Sequence, residues 1–174
     1  MALDGLSLPA LDWGRDVTFL LKNGDRLLSG MRFPFLQWFC EKTAQPLVGW
    51  ENANMIARVR GARPLAVVLY NHFWKPDIWM HIAAEEGTMW CTPDFVEVAF
   101  SYPFIELGCG RVTGLLGEKT HHHHKLMIHL GFTREGRIRE ALPTGDALIM
   151  YGMLRRECRW IGESDGQAKR TSAA

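Results

Sequence analysis

The order of predicted elements in the last third of the chain limits the fold more than any other sequence feature. Apolar periodicity and helix-stopping glycines divide this part into helices and strands. The signals predict a helix that ends before Gly108, a strand at residues 111–116, a helix at 120–130 that Gly131 ends, and strands at 136–141 and 147–156. Strands that alternate with helices favour an α/β sheet with crossover helices over a helical bundle or a sandwich.

The first half of the chain adds hairpins, a helix and a further strand. Asn23-Gly24 is a tight-turn pair between apolar runs at residues 17–21 and 27–28, so it predicts a hairpin, although a helix that starts at Asp25 competes. Further signals predict a helix around residues 33–40, a hairpin at 55–59 and 65–70, and a strand at 77–84.

A helix start is clearest at Thr92-Pro93-Asp94. A hydroxyl at the cap, Pro in the first turn and an acid near the positive end of the helix dipole are all typical of this position. The helix should reach Leu107. Pro103 removes one backbone donor inside it and predicts a kink or an early break near Tyr102.

Composition indicates one soluble domain. The 174 residues suit a single domain over residues 1–161, and the polar, aperiodic segment 162–174 is expected to be a disordered tail. Hydrophobic residues make up 47% of the chain, but no run approaches the ~20 apolar residues of a membrane helix, so no membrane partner is expected. The chain starts without a signal-peptide pattern, and its four cysteines form no C-x-x-C pair, which favours a cytoplasmic location.

Charge and aromatic content bear on partners. A net charge of +1 gives no field that would gather nucleic acid, so no specific nucleic-acid partner is expected. Seven tryptophans and nine phenylalanines suit an aromatic core, with some left for a substrate wall or a homodimer interface. These alternatives stay open at the level of sequence.

Three short motifs resemble those of GNAT acyltransferases. They are Leu130-Gly131-Phe132 at a helix end, Glu135-Gly136-Arg137-Ile138-Arg139 at the start of the next strand, and Tyr151-Gly152-Met153 in the last strand. The resemblance covers residues 54–160. The chain is also similar to GNAT-like proteins encoded by tailed bacteriophages. It implies a mixed, mostly antiparallel central sheet flanked by helices.

The resemblance also implies a reaction, an acyl-CoA-dependent transfer to an amine with acetyl-CoA as the acyl donor. A protein amine is the favoured acceptor, because the segment after Gly136 is similar to GNAT enzymes that modify ribosomal proteins. Such an enzyme needs a strand edge for the pantetheine amides and backbone N–H groups for the diphosphate. The implied cofactor-binding residues are Ile82, Ala83 and Ala84 on the strand, Gly87, Thr88, Met89, Trp90 and Thr92 in the loop, and Thr120 and His123 on the following helix.

The loop departs from the family pattern. The family has several glycines here, whereas this chain keeps only Gly87, and Glu85 and Glu86 would repel a diphosphate. An ordinary turn between a strand and a helix is the alternative interpretation of this segment.

Candidates for proton transfer follow from their position. His81 on the strand and Glu85 at its end are the candidate catalytic bases; the alternatives are a partly buried strand histidine and a solvated acid. Met127 stands where many GNAT enzymes have the tyrosine that protonates the leaving thiolate. Methionine cannot donate a proton, which leaves Tyr151, Cys158 or solvent as donors, or no acyl transfer at all.

The run of four histidines at residues 121–124 invites a metal site. His121 and His124 share a helix face, but no Cys, Asp or Glu lies at ligand spacing nearby, so no metal is predicted.

Besides a metal-binding module built on the histidine run, two main hypotheses remain: an N-acyltransferase and a catalytically silent GNAT-fold protein, such as a phage structural or host-interaction component. They differ in whether the strand at residues 80–84 separates from that at 111–116 to leave an open slot. A slot filled by Trp79, Trp90 or Met89 would favour the silent protein.

Overall fold

A mixed β-sheet forms the centre of the computed structural model, which describes residues 18–21 and 23–162. Within these ranges the sheet has eight strands. They are β1 (Thr18–Leu20), β2 (Arg26–Ser29), β3 (Asn54–Arg60), β4 (Arg63–Trp74), β5 (Asp77–Ala84), β6 (Arg111–Gly117), β7 (Thr133–Ile138) and β8 (Leu148–Leu154). The predicted tail at 162–174 lies outside the described residues, apart from Gly162.

The strands lie in the order β1-β2-β3-β4-β5-β6-β8-β7. Every neighbouring pair is antiparallel except β5 and β6, which are parallel because a helical crossover connects them. This is the mixed, mostly antiparallel sheet that the sequence predicts.

In the part of the chain that the structure describes, three α-helices cover the two faces of the sheet: α1 (Phe33–Thr43), α2 (Pro93–Ser101) and α3 (His121–Leu130). Buried residues of α1 share a core with β3 and β4, including Phe39, Met55 and Leu69. On the other face, α2 and α3 pack on a larger core that contains Phe100 and Leu130. Period-two alternation along the strands supplies apolar side chains to both cores.

The hairpin at Asn23-Gly24 is confirmed, and the competing helix from Asp25 is wrong. Residues 26–29 form β2, which pairs with β1 on one side and β3 on the other. Their backbone groups are hydrogen-bonded to these two strands and are not available for a helix. Gly24 has φ +84, a left-handed conformation that glycine adopts at little cost.

The break predicted near Tyr102 is also confirmed. The α-helix ends at Ser101, short of the expected Leu107, and Tyr102–Glu106 form a π-helical turn. Because Pro103 has no N–H, the regular ladder cannot continue through it. The chain then leaves the helix at Gly108, where φ is +63.

The two final strands differ from prediction in their bounds. β7 begins at Thr133 and ends at Ile138, three residues earlier than expected, and β8 ends at Leu154. The connection between β7 and β8 extends to residue 147, because the amides of Ala141 and Leu142 both donate to the carbonyl oxygen of Asp146 and form a turn.

The four cysteines are free thiols, and all but Cys91 are buried. In the described part of the chain, none of the helices has the length and apolar character needed to cross a membrane.

Candidate functional site

A wedge opens between the two parallel strands. β5 and β6 pair only from Asp77↔Arg111 to Trp79↔Thr113 and separate beyond that point. The Thr113 hydroxyl donates to Asp77 Oδ2 at 2.7 Å and fastens the closed end. Past the last pair, the inner edges of both strands carry backbone groups that do not pair with each other, so an extended polar ligand could bind them.

Met127 occupies the start of the wedge. Its Cε lies 2.7 Å from the point where a Cβ on Gly114 would stand, and the carbonyl oxygen of Met80 lies 3.8 Å from the same point. Met127 is buried. Met127, which stands where the resemblance implies a tyrosine, therefore lies beside the last paired residues of β5 and β6.

Trp90 fills part of the space on the same face of the sheet as Met127, further from the start of the wedge. Together with Met80, Ile82 and Leu130 it lines a cavity of about 10 Å³, room for roughly one water molecule. Met89 is 85% exposed, and the Trp79 ring packs 4.6 Å from the His72 ring, so these two do not close the slot. The strands separate as an acyltransferase requires, but Trp90 and Met127 narrow the opening.

The loop from β5 to α2 carries the predicted diphosphate-binding residues. Gly87 has φ +70 and open space around it, and the Thr88 hydroxyl donates to the Glu85 carbonyl oxygen at 2.7 Å. In the described chain, no residue accepts a hydrogen bond from the backbone N–H of Gly87, Met89 or Trp90. These donors therefore remain available to an anion.

At the start of α2, one backbone N–H group of the first turn already has a hydrogen-bond acceptor within the protein. Thr92 is the N-cap residue, but its hydroxyl bonds the Asp94 carboxylate instead of a backbone amide. Asp94 Oδ1 accepts the Phe95 N–H at 2.9 Å. A diphosphate would thus rely on the loop amides more than on the first turn of the helix.

A buried arginine that the sequence analysis missed holds this loop. Arg58 donates from Nη1 to the Trp90 carbonyl oxygen at 2.7 Å and to the Thr92 hydroxyl. Its Nε and Nη2 donate to Asp25 Oδ2 at 2.9 and 2.7 Å. The one signal in the sequence was a charged residue in the middle of the apolar run at 55–59.

His81 lies on the α1 face of β5. Its Nε2 donates to Asn71 Oδ1 at 2.9 Å, and its ring meets the Trp50 ring edge-on at 5.2 Å. Burial, with a smaller contribution from His72, lowers the pKa of His81 to about 4. The imidazole is neutral at pH 7, and Nδ1 keeps a free lone pair.

Glu85 faces the same side but is engaged in ion pairs. Lys42 Nζ lies 3.0 Å from Oε2, and Arg63 Nη2 lies 2.9 Å from Oε1. Hydrogen bonds from Lys42 and then Arg63 lower the pKa of Glu85. Both of its carboxylate oxygens are engaged, whereas His81 keeps Nδ1 free, so His81 is the better placed of the two candidates.

Thr120 and His123 flank the open end of the wedge. Thr120 is the N-cap residue of α3, yet its hydroxyl donates to the Gly117 carbonyl oxygen at 2.7 Å and caps no amide. The pKa of His123 is lowered by desolvation and by His122 and His124, while nearby Glu86 acts in the opposite direction. The charge of Glu86, in the Gly87 loop, therefore acts on the first turn of α3.

The candidate proton donors are occupied elsewhere. The hydroxyl of buried Tyr151 donates to His124 Nδ1 at 2.9 Å, and His124 Nε2 lies 3.1 Å from the carbonyl oxygens of Gly117 and Glu118. Burial raises the pKa of Cys158. Within the described ranges, no group of three His, Cys, Asp or Glu side chains is arranged to hold a metal ion.

Solved structures with a similar fold include several N-acetyltransferases. The ribosomal-protein-S5-alanine acetyltransferase from Vibrio fischeri matches with 12% identity and a TM-score of 0.62, over 83% of this chain and 100% of that chain. The spermidine/spermine N-acetyltransferase SpeG from Vibrio cholerae, in complex with manganese ions, matches with 10% identity and a TM-score of 0.57, over 74% and 92%.

A chimera of SpeG from Vibrio cholerae and hSSAT gives 11% identity and a TM-score of 0.60, over 75% of this chain and 96% of the chimera. At this level of identity the similarity shows the fold, which is that of GNAT acetyltransferases. No protein-family model matches the sequence. No curated protein matches it either.

Proposed function

We propose that the protein is an acyl-CoA-dependent N-acyltransferase that uses acetyl-CoA as donor and an amine as acceptor. The observation that carries this proposal is the separation of β5 from β6 after Trp79 and Thr113. It leaves strand edges for the pantetheine amides, with the unpaired amides of the Gly87 loop at the open end for the diphosphate.

In this account the edge of β5 at Ile82, Ala83 and Ala84 orients the donor. A neutral amine attacks the thioester carbon, the C–N bond forms, the C–S bond breaks and the thiolate leaves. The attacking nitrogen loses a proton to the free Nδ1 of His81, which passes it to water because a conjugate acid with a pKa of about 4 does not hold it at neutral pH. Solvent protonates the thiolate, since Met127 cannot.

A catalytically silent protein is the second candidate, and the position of Met127 and Trp90 favours it. Trp90 lines a cavity of only about 10 Å³. Met127 lies against Gly114 at the start of the wedge. In that case the fold would present a surface to a partner, such as a phage structural protein or a host protein. A methionine side chain is flexible, however, so a ligand could displace it at low cost.

The deciding experiment mixes the purified protein with acetyl-CoA and a panel of amines and peptides, and follows release of free CoA thiol. Amine-dependent release that His81→Asn slows supports the enzyme. A His129→Asn variant is the matched control, because His129 is exposed in the last turn of α3, at the other end of the helix from the Gly87 loop. If no amine or peptide raises thiol release above the rate of the blank, the silent protein is the better account.

A further inference from the structure

A second cavity, of about 320 Å³, opens on the α1 face of the sheet. It lies between the chain that enters β3 and the far end of β4, and its walls include Glu51, Asn52, Asn71, His72 and Phe73. Its volume is at the lower end of the range for small-molecule sites. Neither the donor edge of the wedge nor the Gly87 loop contributes to it.

An irregularity in β4 shapes this cavity. The pairing of β4 with β5 shifts register between Asn71 and Trp74, and His72 has φ +48, a conformation rare for residues other than glycine. Bulges of this kind re-aim side chains and are frequent beside functional sites. Here the bulge brings His72 and Phe73 to the cavity wall.

The cavity adjoins the closed end of the wedge. Asn71 lines it and pairs across the sheet with Trp79, the last residue of β5 that pairs with β6. The same Asn71 side chain accepts the hydrogen bond from His81 Nε2. A ligand in the cavity would therefore lie next to His81, where the thioester is expected.

The charge of the lining selects a cation. Glu51 is the acid in the wall, and hydrogen bonds from its own backbone N–H and that of Gly49 lower its pKa, so it is ionised at neutral pH. None of the residues that line this cavity in the described chain is Lys or Arg. Phe73, which is 54% exposed, offers an aromatic face to an alkyl chain or an ammonium group.

We propose that this cavity binds the acceptor, and that the acceptor is an alkylamine with a second positive charge. This inference rests on the acyltransferase function proposed above. Glu51 pairs with one ammonium group, Phe73 packs against the alkyl chain, and the second amine, deprotonated, faces the thioester beside His81. Free diamines and basic peptides with a lysine near the N-terminal amine share this chemistry.

The test measures amine binding without acetyl-CoA, so that failure of the donor site cannot mask it. Diaminopentane and the peptide Lys-Gly-Gly-amide are titrated into the protein by calorimetry, with neutral pentanediol as the uncharged counterpart. We expect saturable binding of at least one of the two amines, weakened by added salt, and none of pentanediol.

Glu51→Gln should raise the Kd about three- to fivefold, as expected for an exposed ion pair. Phe73→Ala should weaken binding by a component that salt does not change. Glu106→Gln, which removes an exposed carboxylate on the opposite face, should leave the Kd unchanged.

Absence of binding by both amines would overturn the inference, as would equal affinity in wild type and Glu51→Gln. The tighter of the two amines identifies the source of the acceptor. If acetyl-CoA does not bind while the diamine or peptide does, the donor half of the proposed function fails and the cation site stands.

Discussion

Met127 of α3 lies directly over Gly114 of β6, with its Cε 2.7 Å from the position that a Cβ on that glycine would take. Any larger residue at position 114 would collide with the methionine. The pair narrows the wedge at the point where β5 and β6 separate. Under the proposed function, binding of the acyl donor therefore requires this side chain to move aside.

Met127→Ala should open the wedge at a cost in stability. Truncation of a buried methionine destabilises by about 2–5 kcal/mol, measured by urea unfolding. Below its unfolding temperature the variant should bind acetyl-CoA more tightly than wild type in calorimetry. Met31→Ala, at a site 39% exposed, is the control and should change neither quantity by much. Unchanged or weaker binding by Met127→Ala would show that Met127 does not obstruct the donor.

Arg58 and Arg60 bind the same carboxylate but should contribute very differently. The side chain of Arg58 is fully buried, whereas that of Arg60 is 64% exposed. Arg58→Met removes the buried partner of Asp25 and should cost about 3–5 kcal/mol in the free energy of unfolding. Arg60→Met should cost less than about 1 kcal/mol. Similar losses of unfolding free energy in the two variants would contradict the larger contribution of the buried Arg58–Asp25 pair.

Asp25 should make the protein sensitive to acid. Hydrogen bonds from Arg60 and Arg58, opposed by burial, lower the pKa of Asp25 from 3.8 to about 2. The charged form is favoured in the folded state, so this stabilisation is complete above pH 3.8 and is lost as the pH falls to about 2. The loss should be about 2 kcal/mol. The free energy of unfolding measured across this range should depend less on pH in Asp25→Asn than in wild type or Glu106→Gln. Parallel curves for the three proteins would contradict the role of Asp25.

His81 should stay neutral through the physiological range. Its pKa lies near 4 instead of 6.5, because burial disfavours the imidazolium. The unfolded chain takes up this proton at higher pH than the folded chain, so stability falls as the pH drops from 6.5 towards 4. NMR titration of the ring signals, assigned with His81→Asn, should show no inflection for His81 near neutrality. An inflection near 6.5 would rule out the buried, neutral base.

Local signals were enough for most elements of the fold. β5 begins and ends at the predicted residues, because Pro76 and the polar residues after Ala84 bound an apolar run on both sides. The hairpin at Asn23-Gly24 and the break at Pro103 follow from the backbone limits of single residues. The late end of the 139–147 connection depends on hydrogen bonds to Asp146, which no periodicity shows.

The site was less predictable, because it depends on contacts between distant residues. The pairing of Arg58 with Asp25 spans 33 positions. The position of Met127 over Gly114 depends on how α3 packs on β6. The bulge in β4 that places His72 and Phe73 on the second cavity has no residue signal such as Gly or Pro. Sequence patterns locate the strand and the loop but not what fills the space between them.

The most direct test of the acyltransferase account is calorimetric titration of acetyl-CoA into the wild-type protein and two matched glycine variants. Gly87→Glu places a charge and a strained backbone in the donor loop, where φ is +70. Gly108→Glu adds the same charge at φ +63 where the chain leaves the π-helical turn, away from the donor loop. The account predicts saturable binding by wild type and Gly108→Glu, and its loss in Gly87→Glu. No binding by wild type at millimolar acetyl-CoA, or equal binding by all three proteins, would contradict it.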